Sequence, residues 1–122
     1  MILVVEDEFL IAMELESTLR RGGYQVLGPA PSVRVALELL QRDRPDAAVL
    51  DVNLAGERVT PVAEVLRSMS IPFILASGYG AADLNADRVL RAATNIGKPS
   101  VAERLLRELS GLLAAERGGD GY

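Results

Sequence analysis

The sequence predicts a doubly wound α/β domain, in which helices cover both faces of a five-stranded parallel sheet. Five short apolar runs alternate along the chain with segments compatible with helices, and the connections between them are short. Right-handed crossovers between parallel strands then place the helices on both faces of the sheet. The chain has 122 residues, of which 49% are hydrophobic and only 4% aromatic, so we expect one domain with an aliphatic core.

The first strand is predicted at residues 2–5, a continuous β-branched and aliphatic run that is typical of a strand buried on both faces. The apolar period becomes helical between residues 9 and 21, which predicts the first helix. Gly22 and Gly23 follow it and suit a helix end, because glycine readily adopts the backbone conformation found there.

The second strand is predicted at residues 25–28, followed by a turn over residues 29–31 that contains two prolines. Ser32 is a favourable N-cap for the second helix, whose apolar positions continue to Leu40. We expect the helix to end before Pro45, because the proline ring clashes sterically with the preceding residue when that residue is helical.

The third strand is predicted at residues 47–51, an apolar run that ends abruptly on the carboxylate of Asp51. Asn53 and Gly56 suit a loop after this strand. Pro61 suits the first turn of a helix that extends to about Met69.

The last part of the chain supplies the remaining strands at residues 71–76 and 94–97. Between them we expect a short or mobile helix over residues 81–93, where the apolar stripe is weak. A final helix begins after Ser100 and carries a wide leucine face. We assign residues 1–117 to the domain and residues 118–122 to a flexible tail.

Such a domain, described as flavodoxin-like, has the strand order 2-1-3-4-5 and binds ligands at the carboxyl ends of its strands. Polar side chains stand at four of these predicted ends and should converge. They are Glu6 and Asp7 after strand 1, Asp51 after strand 3, Ser77 after strand 4 and Lys98 after strand 5.

The three predicted neighbours Glu6, Asp7 and Asp51 would repel one another, since two unit charges ~4 Å apart interact by ~4 kcal/mol at an effective dielectric of 20. A bound cation or protonation of one carboxyl group relieves this repulsion. Oxygen ligands without nitrogen or sulfur favour a hard ion such as Mg²⁺. With the amine of Lys98 and the hydroxyl of Ser77, the set contains the parts of a phosphoryl-transfer site with Asp51 as nucleophile.

Composition excludes several other functions. The chain has no histidine and no cysteine, which removes the Ser-His and Cys-His triads and the usual zinc sites. Its net charge is −4 without a basic stripe, and no apolar run reaches the ~20 residues that span a bilayer, so we expect no nucleic-acid or membrane partner and a cytoplasmic location. Acids after the first strand also disfavour a flavin or dinucleotide phosphate there.

The whole chain resembles the receiver domain of two-component response regulators. The sequences of residues 5–8, 50–54 and 76–80 are most similar to those of a single-domain subgroup whose fourth strand ends Phe-Ala-Thr-Gly-aromatic. The residues that carry the resemblance are Glu6 and Asp7, Asp51, Ser77, and the Lys98-Pro99 pair.

The resemblance implies that Asp51 takes a phosphoryl group from the phosphohistidine of a sensor histidine kinase. It implies Mg²⁺ bound by Glu6, Asp7, Asp51 and the main-chain carbonyl of Asn53, with Glu6 acting partly through water, and a cis Lys98-Pro99 peptide. A downstream protein or phosphotransfer protein would be the second partner, and the domain would catalyse only its own phosphorylation and dephosphorylation.

This sequence departs from the receiver pattern at the residue that usually changes conformation on phosphorylation. Asn95 stands where many receivers carry the aromatic residue that turns inward on phosphorylation, so Ser77 and Tyr79 are the switch candidates. Two other functions stay open: a phosphatase with Asp51 as nucleophile, and a binding module that is not phosphorylated. The phosphatase pattern needs an acid two residues after the nucleophile, where this chain has Asn53. We expect a monomer or a weak dimer.

Overall fold

The computed structural model describes residues 1–54, 56–76, 94–95 and 102–120. Within these residues the main sheet has five parallel strands in the order β2-β1-β3-β4-β5, which confirms the predicted fold and strand order. The strands β1 to β5 span Ile2–Val5, Val26–Ala30, Ala47–Leu50, Phe73–Leu75 and Thr94–Asn95. Helices α1 to α3 span Phe9–Arg21, Val33–Arg42 and Thr60–Ser68, and the C-terminal helix spans Ala102–Asp120.

The strands β1 and β3 form the centre of the sheet and are fully buried along their whole length. Successive side chains of a strand point to opposite faces, so each strand contributes to two separate cores. Leu3, Val5, Ala48 and Leu50 pack on the side of α2 and α3. Ile2, Val4, Ala47 and Val49 pack on the side of α1 and the C-terminal helix.

The predicted helix ends are confirmed for α1 and α2. Gly22 caps α1, and the N–H of Tyr24 donates to the carbonyl of Leu19 at 3.0 Å, which closes the last turn around Gly23 with its φ of +90°. At the start of α2 the hydroxyl of Ser32 accepts a 3.2 Å hydrogen bond from the N–H of Val35.

The second strand continues beyond its predicted end, and the turn expected over residues 29–31 is wrong. Ala30 pairs with Val5, and its carbonyl accepts a 2.9 Å hydrogen bond from the N–H of Glu6. The register between β1 and β2 shifts at the same place, where Gly28 has a φ of +99° and the Gly28–Pro29 peptide is cis. Proline is tolerated here because β2 lies at the sheet edge and carries an irregularity.

The loop expected around Asn53 and Gly56 contains a short antiparallel hairpin instead. Its strands are Asn53–Leu54 and Glu57–Arg58, with Asn53 opposite Arg58. Gly56 lies between them with a φ of +89°, a conformation that glycine adopts at little cost. A 2.9 Å hydrogen bond from the N–H of Val59 to the carbonyl of Val52 joins the two residues that flank the hairpin.

The helix expected over residues 81–93 lies outside the described residues. The backbone of the C-terminal helix continues to Asp120, and the division into a domain at 1–117 and a tail at 118–122 stays a prediction. No helix in the described part of the chain has the length and apolar character needed to cross a membrane.

Candidate functional site

The carboxyl ends of β1, β3 and β4 are aligned by the register of the sheet. Val5, Leu50 and Leu75 are partners across these three strands. The residues that follow are Glu6, Asp51 and Ala76, and the sheet pairing continues into two of them. The N–H of Asp51 donates to the carbonyl of Val5 at 2.8 Å, and the N–H of Ala76 donates to the carbonyl of Leu50 at 2.9 Å.

The structure brings together the three acids that the sequence predicts at this edge. Carboxylate oxygens of Glu6, Asp7 and Asp51 lie within 4.8 Å of one another. Glu6 is 2% exposed and Asp51 is 4% exposed, whereas Asp7 is partly open to solvent. Two of the three carboxyl groups are therefore held in the protein interior, and the third lies at the opening.

Short backbone contacts fix the position of Glu6. Its N–H donates to Ala30 at the end of β2, and its side-chain Oε2 accepts a 3.1 Å hydrogen bond from the N–H of Glu8. Glu8 is the N-cap residue of α1, so the acids precede the positive end of that helix dipole. This position stabilises negative charge near the edge of the sheet.

The donor set of the cluster fits a hard divalent cation. It offers carboxylate oxygens, the ligands that Mg²⁺ prefers, and the chain contains no histidine or cysteine that would favour zinc or another softer metal. Mg²⁺ retains several water ligands and needs few protein ligands, which suits a cluster of three acids that is partly open to solvent.

The remaining predicted site residues are described in part. The backbone of Asn53 lies in the hairpin two residues after Asp51, and the role of its carbonyl as a metal ligand stays a prediction. Ser77, Tyr79, Lys98 and Pro99 lie outside the described residues. Their roles in phosphoryl binding and switching, and the cis Lys98-Pro99 peptide, therefore stay predictions as well.

Next to the acids lies a cleft that the sequence interpretation missed. It has a volume of about 280 Å³ and runs between α1 and the segment around Pro29 and Pro31, and Glu6 and Asp7 contribute to its wall. A signal was present in the run Phe9-Leu10-Ile11-Ala12-Met13, since five consecutive apolar residues in a helix cannot all face the core.

A comparison with known families shows the family to which this chain belongs. The chain matches the model of the response regulator receiver domain over residues 2–110. It belongs to this family. The receiver-domain identity predicted from the acids and the Lys98-Pro99 pair is thereby confirmed, while the finer assignment to a single-domain subgroup stays a prediction.

Curated relatives of this receiver domain include signalling proteins of different length. This chain is 35% identical over 111 residues to the sensory transduction protein LytT of Bacillus cereus. The alignment covers 88% of this chain and 45% of LytT. This chain is 30% identical over 104 residues to sporulation initiation phosphotransferase F of Bacillus subtilis, covering 80% of this chain and 81% of that protein. The chain spans less than half of several relatives, including 41% of PdtaR from Mycobacterium tuberculosis.

Solved structures of response regulators have folds similar to that of this receiver domain. The BeF3-activated conformation of SdrG from Pseudomonas melonis is similar with a TM-score of 0.76 and 39% identity, covering 92% of this chain and 94% of SdrG. The PhyR response regulator REC domain from Erythrobacter litoralis is similar with a TM-score of 0.82 and 25% identity, covering 92% of this chain and 88% of that chain.

Proposed function

We propose that Asp51 accepts a phosphoryl group from the phosphohistidine of a sensor histidine kinase, with Mg²⁺ bound beside it. The observation that carries this proposal is the buried carboxylate of Asp51 at the end of β3, within 4.8 Å of oxygens of Glu6 and Asp7. A carboxylate nucleophile beside an all-oxygen cation site has the chemistry needed for phosphoryl transfer.

In the transfer step, one carboxylate oxygen of Asp51 forms a new P–O bond while the P–N bond of the phosphohistidine breaks. The released imidazole nitrogen takes up a proton from solvent, and Asp51 becomes an acyl phosphate. The hydrogen bond from the N–H of Asp51 to Val5 holds the nucleophile in place during this step. Positioning of this kind is a large part of catalysis in phosphoryl transfer.

The proposed ligands of Mg²⁺ are Glu6, Asp7, Asp51 and the main-chain carbonyl of Asn53, with Glu6 acting partly through water. When bound, Mg²⁺ supplies the positive charge that offsets repulsion between the carboxylates and the incoming phosphoryl oxygens. The closeness of the three carboxylates supports this assignment, because such a cluster gains from a cation.

The remaining roles rest on the sequence. Lys98 pairs with a phosphoryl oxygen as a compact point charge. Ser77 donates its hydroxyl to the phosphoryl group and so biases the conformation of the segment that follows β4. Tyr79 reports this change at the surface, since Asn95 occupies the place of the usual aromatic residue.

The phosphorylated domain acts on a downstream protein by surface contact, or passes the phosphoryl group to a phosphotransfer protein. The relative named sporulation initiation phosphotransferase F supports the second role. We further propose that the protein is cytoplasmic, is a monomer or a weak dimer, binds neither nucleic acid nor membrane directly, and turns over no substrate other than its own phosphoryl group.

Incubation with acetyl phosphate and Mg²⁺, followed by intact-mass spectrometry, tests the proposal. The expected result is an alkali-labile gain of one phosphoryl group that requires Mg²⁺ and is lost in Asp51→Asn. The exposed acid Glu14 provides a matched control, since Glu14→Gln removes a charge from α1 away from the cluster and should be phosphorylated like the wild type. An equal mass gain in Asp51→Asn would contradict the proposal.

A further inference from the structure

A short hairpin lies between the proposed phosphoacceptor and α3. Its strands, Asn53–Leu54 and Glu57–Arg58, begin two residues after Asp51, and they are here called the β3–α3 hairpin. Asn53, whose main-chain carbonyl is a proposed Mg²⁺ ligand, lies in the first strand. The conformation of the hairpin therefore determines the position of this carbonyl oxygen.

The hydrogen bonds of the β3–α3 hairpin alternate along its length. In an antiparallel pair of strands, opposite residues alternate between pairs that exchange hydrogen bonds and pairs that do not. The N–H of Val59 donates to the carbonyl of Val52 at 2.9 Å, so the next pair, Asn53 and Arg58, is of the second kind. The peptide groups of such residues point away from the opposing strand. The carbonyl of Asn53 is therefore directed out of the hairpin, as a metal ligand must be.

Buried side chains hold the backbone on both sides of Asn53. Val52 and Leu54 flank it, Val59 follows the second strand, and all three are buried in the core on the side of α2 and α3. The carbonyl of Val59 also accepts a 2.9 Å hydrogen bond from the N–H of Val62 in the first turn of α3. A displacement of Asn53 would therefore disturb side chains that are packed in the core.

The chain reversal in the β3–α3 hairpin depends on Gly56. This glycine lies between Leu54 and Glu57, which pair across the turn, and it has a φ of +89°. A residue with a side chain adopts a positive φ only at a cost, and the cost is large for a β-branched residue such as valine. A Cβ on Gly56 would meet no atom of the described residues within 4 Å. The preference for glycine therefore comes from the backbone conformation.

We propose that Gly56 is a positioning residue for the cation site, and that the β3–α3 hairpin holds the main-chain carbonyl of Asn53 toward the cation bound by the three acids. Gly56 has no side-chain ligand atom and acts through the turn that pairs Leu54 with Glu57. This role rests on the proposed function, since it requires Mg²⁺ beside Asp51. Because the carbonyl is held before the cation binds, little conformational entropy is lost on binding.

Gly23 provides a matched control for Gly56. The two glycines have φ values of +90° and +89°, and a Cβ on either would meet no atom of the described residues within 4 Å. Valine at either position should therefore have a similar conformational cost and lower the urea midpoint by a similar amount. Gly23 follows the C-terminal end of α1, about 20 Å along the helix from the end that the acids precede.

Isothermal titration calorimetry of the full chain with magnesium chloride tests the proposal. We expect Gly56→Val to raise the dissociation constant for Mg²⁺ about tenfold, as the loss of a supporting residue does at other metal sites. Gly23→Val should leave this constant unchanged. Gly56→Asn should keep it close to the wild-type value, because asparagine tolerates a positive φ.

Phosphorylation by acetyl phosphate over a series of Mg²⁺ concentrations provides a second measurement. In Gly56→Val the half-saturating Mg²⁺ concentration should rise about tenfold, whereas the rate at saturating Mg²⁺ should approach that of the wild type. Urea unfolding without Mg²⁺ shows whether the two valine variants are folded and equally destabilised. If they do not fold, Gly56→Ala and Gly23→Ala make the same comparison with a smaller change.

Asp7→Asn separates failure of this proposal from failure of the proposed function. If Asp7→Asn weakens Mg²⁺ binding while Gly56→Val binds Mg²⁺ like the wild type, the hairpin has no positioning role and the cation site stands. If the wild type binds no Mg²⁺, the cation site is wrong and the role of Gly56 with it. Equal weakening by Gly56→Val and Gly23→Val, or weak binding by Gly56→Asn, would also overturn the proposal, because backbone conformation at Gly56 would not be the cause.

Discussion

The N–H of Asp51 donates a 2.8 Å hydrogen bond to the carbonyl of Val5, the residue directly before Glu6. The backbone of the proposed phosphoacceptor is thus tied to the strand that leads into the other two acids. The relative positions of Glu6 and Asp51 therefore depend on sheet pairing rather than on a long loop. Substitution of one acid side chain should change the charge of the cluster while leaving its backbone in place.

Asp7→Asn should make the protein more stable without Mg²⁺ and less responsive to Mg²⁺. The substitution removes one of three neighbouring negative charges, and the gain should be about 1 kcal/mol because Asp7 is partly solvated. The loss of a carboxylate ligand should reduce the rise in melting temperature that Mg²⁺ produces. Thermal unfolding with and without Mg²⁺ measures both effects, with Glu14→Gln as control. An unchanged response to Mg²⁺ in Asp7→Asn would remove Asp7 from the proposed ligand set.

Multiple turnover of a phosphomonoester should be absent. A phosphatase that uses an aspartate nucleophile needs a general acid to protonate the leaving alcohol, and Asn53 stands at the position where that acid is expected. We expect p-nitrophenyl phosphate to yield no sustained release of p-nitrophenol with wild type in the presence of Mg²⁺. Steady release that disappears in Asp51→Asn would instead establish the phosphatase function.

Gly28→Ala should destabilise the protein strongly. A Cβ at this position would lie 2.7 Å from the backbone nitrogen of Ala30 and 3.0 Å from the carbonyl oxygen of Val4, and the φ of +99° is itself unfavourable for alanine. We expect a loss of roughly 2 to 4 kcal/mol in urea unfolding.

Gly23→Ala is the matched control for that prediction. Gly23 has a φ of +90°, but a Cβ at this position would have no atom within 4 Å, so only the conformational cost of about 1 to 2 kcal/mol applies. Equal destabilisation by the two substitutions would show that the close backbone approach at Gly28 contributes nothing.

Ser32→Ala should cost about 1 kcal/mol in the free energy of unfolding, since the N–H of Val35 loses the hydroxyl that accepts its hydrogen bond. Ser17→Ala, an exposed position within α1, should be neutral or slightly stabilising because alanine favours helix. Chemical denaturation of both variants measures the difference. Similar midpoints for the two would mean that the cap at Ser32 adds little to stability.

The central fold was predictable because its elements carry strong local signals. Residues 2–5 and 47–50 are continuous apolar runs, and the structure buries both strands completely. Once the strand order is known, the acids after β1 and β3 must be neighbours, and their convergence followed from topology alone.

The errors occur where tertiary contacts override local preference. Pro29 and Pro31 favour a turn, yet Ala30 is held in the sheet by pairing with Val5 and by the hydrogen bond from Glu6. Asn53 and Gly56 favour a loop, but the positive φ of Gly56 allows the flanking residues to pair as a hairpin. Cross-strand contacts of this kind leave no periodic pattern in so short a segment. The positions of Ser77, Tyr79 and Lys98 stay predictions from the sequence.

The two faces of α1 differ in what they contribute to the fold. The inner face, with Ala12, Leu15 and Leu19, is buried against the sheet. The outer face, with Phe9, Leu10 and Met13, contributes little to that packing. Polar substitutions on the outer face should therefore leave the fold intact, whereas the same substitutions on the inner face should destabilise it.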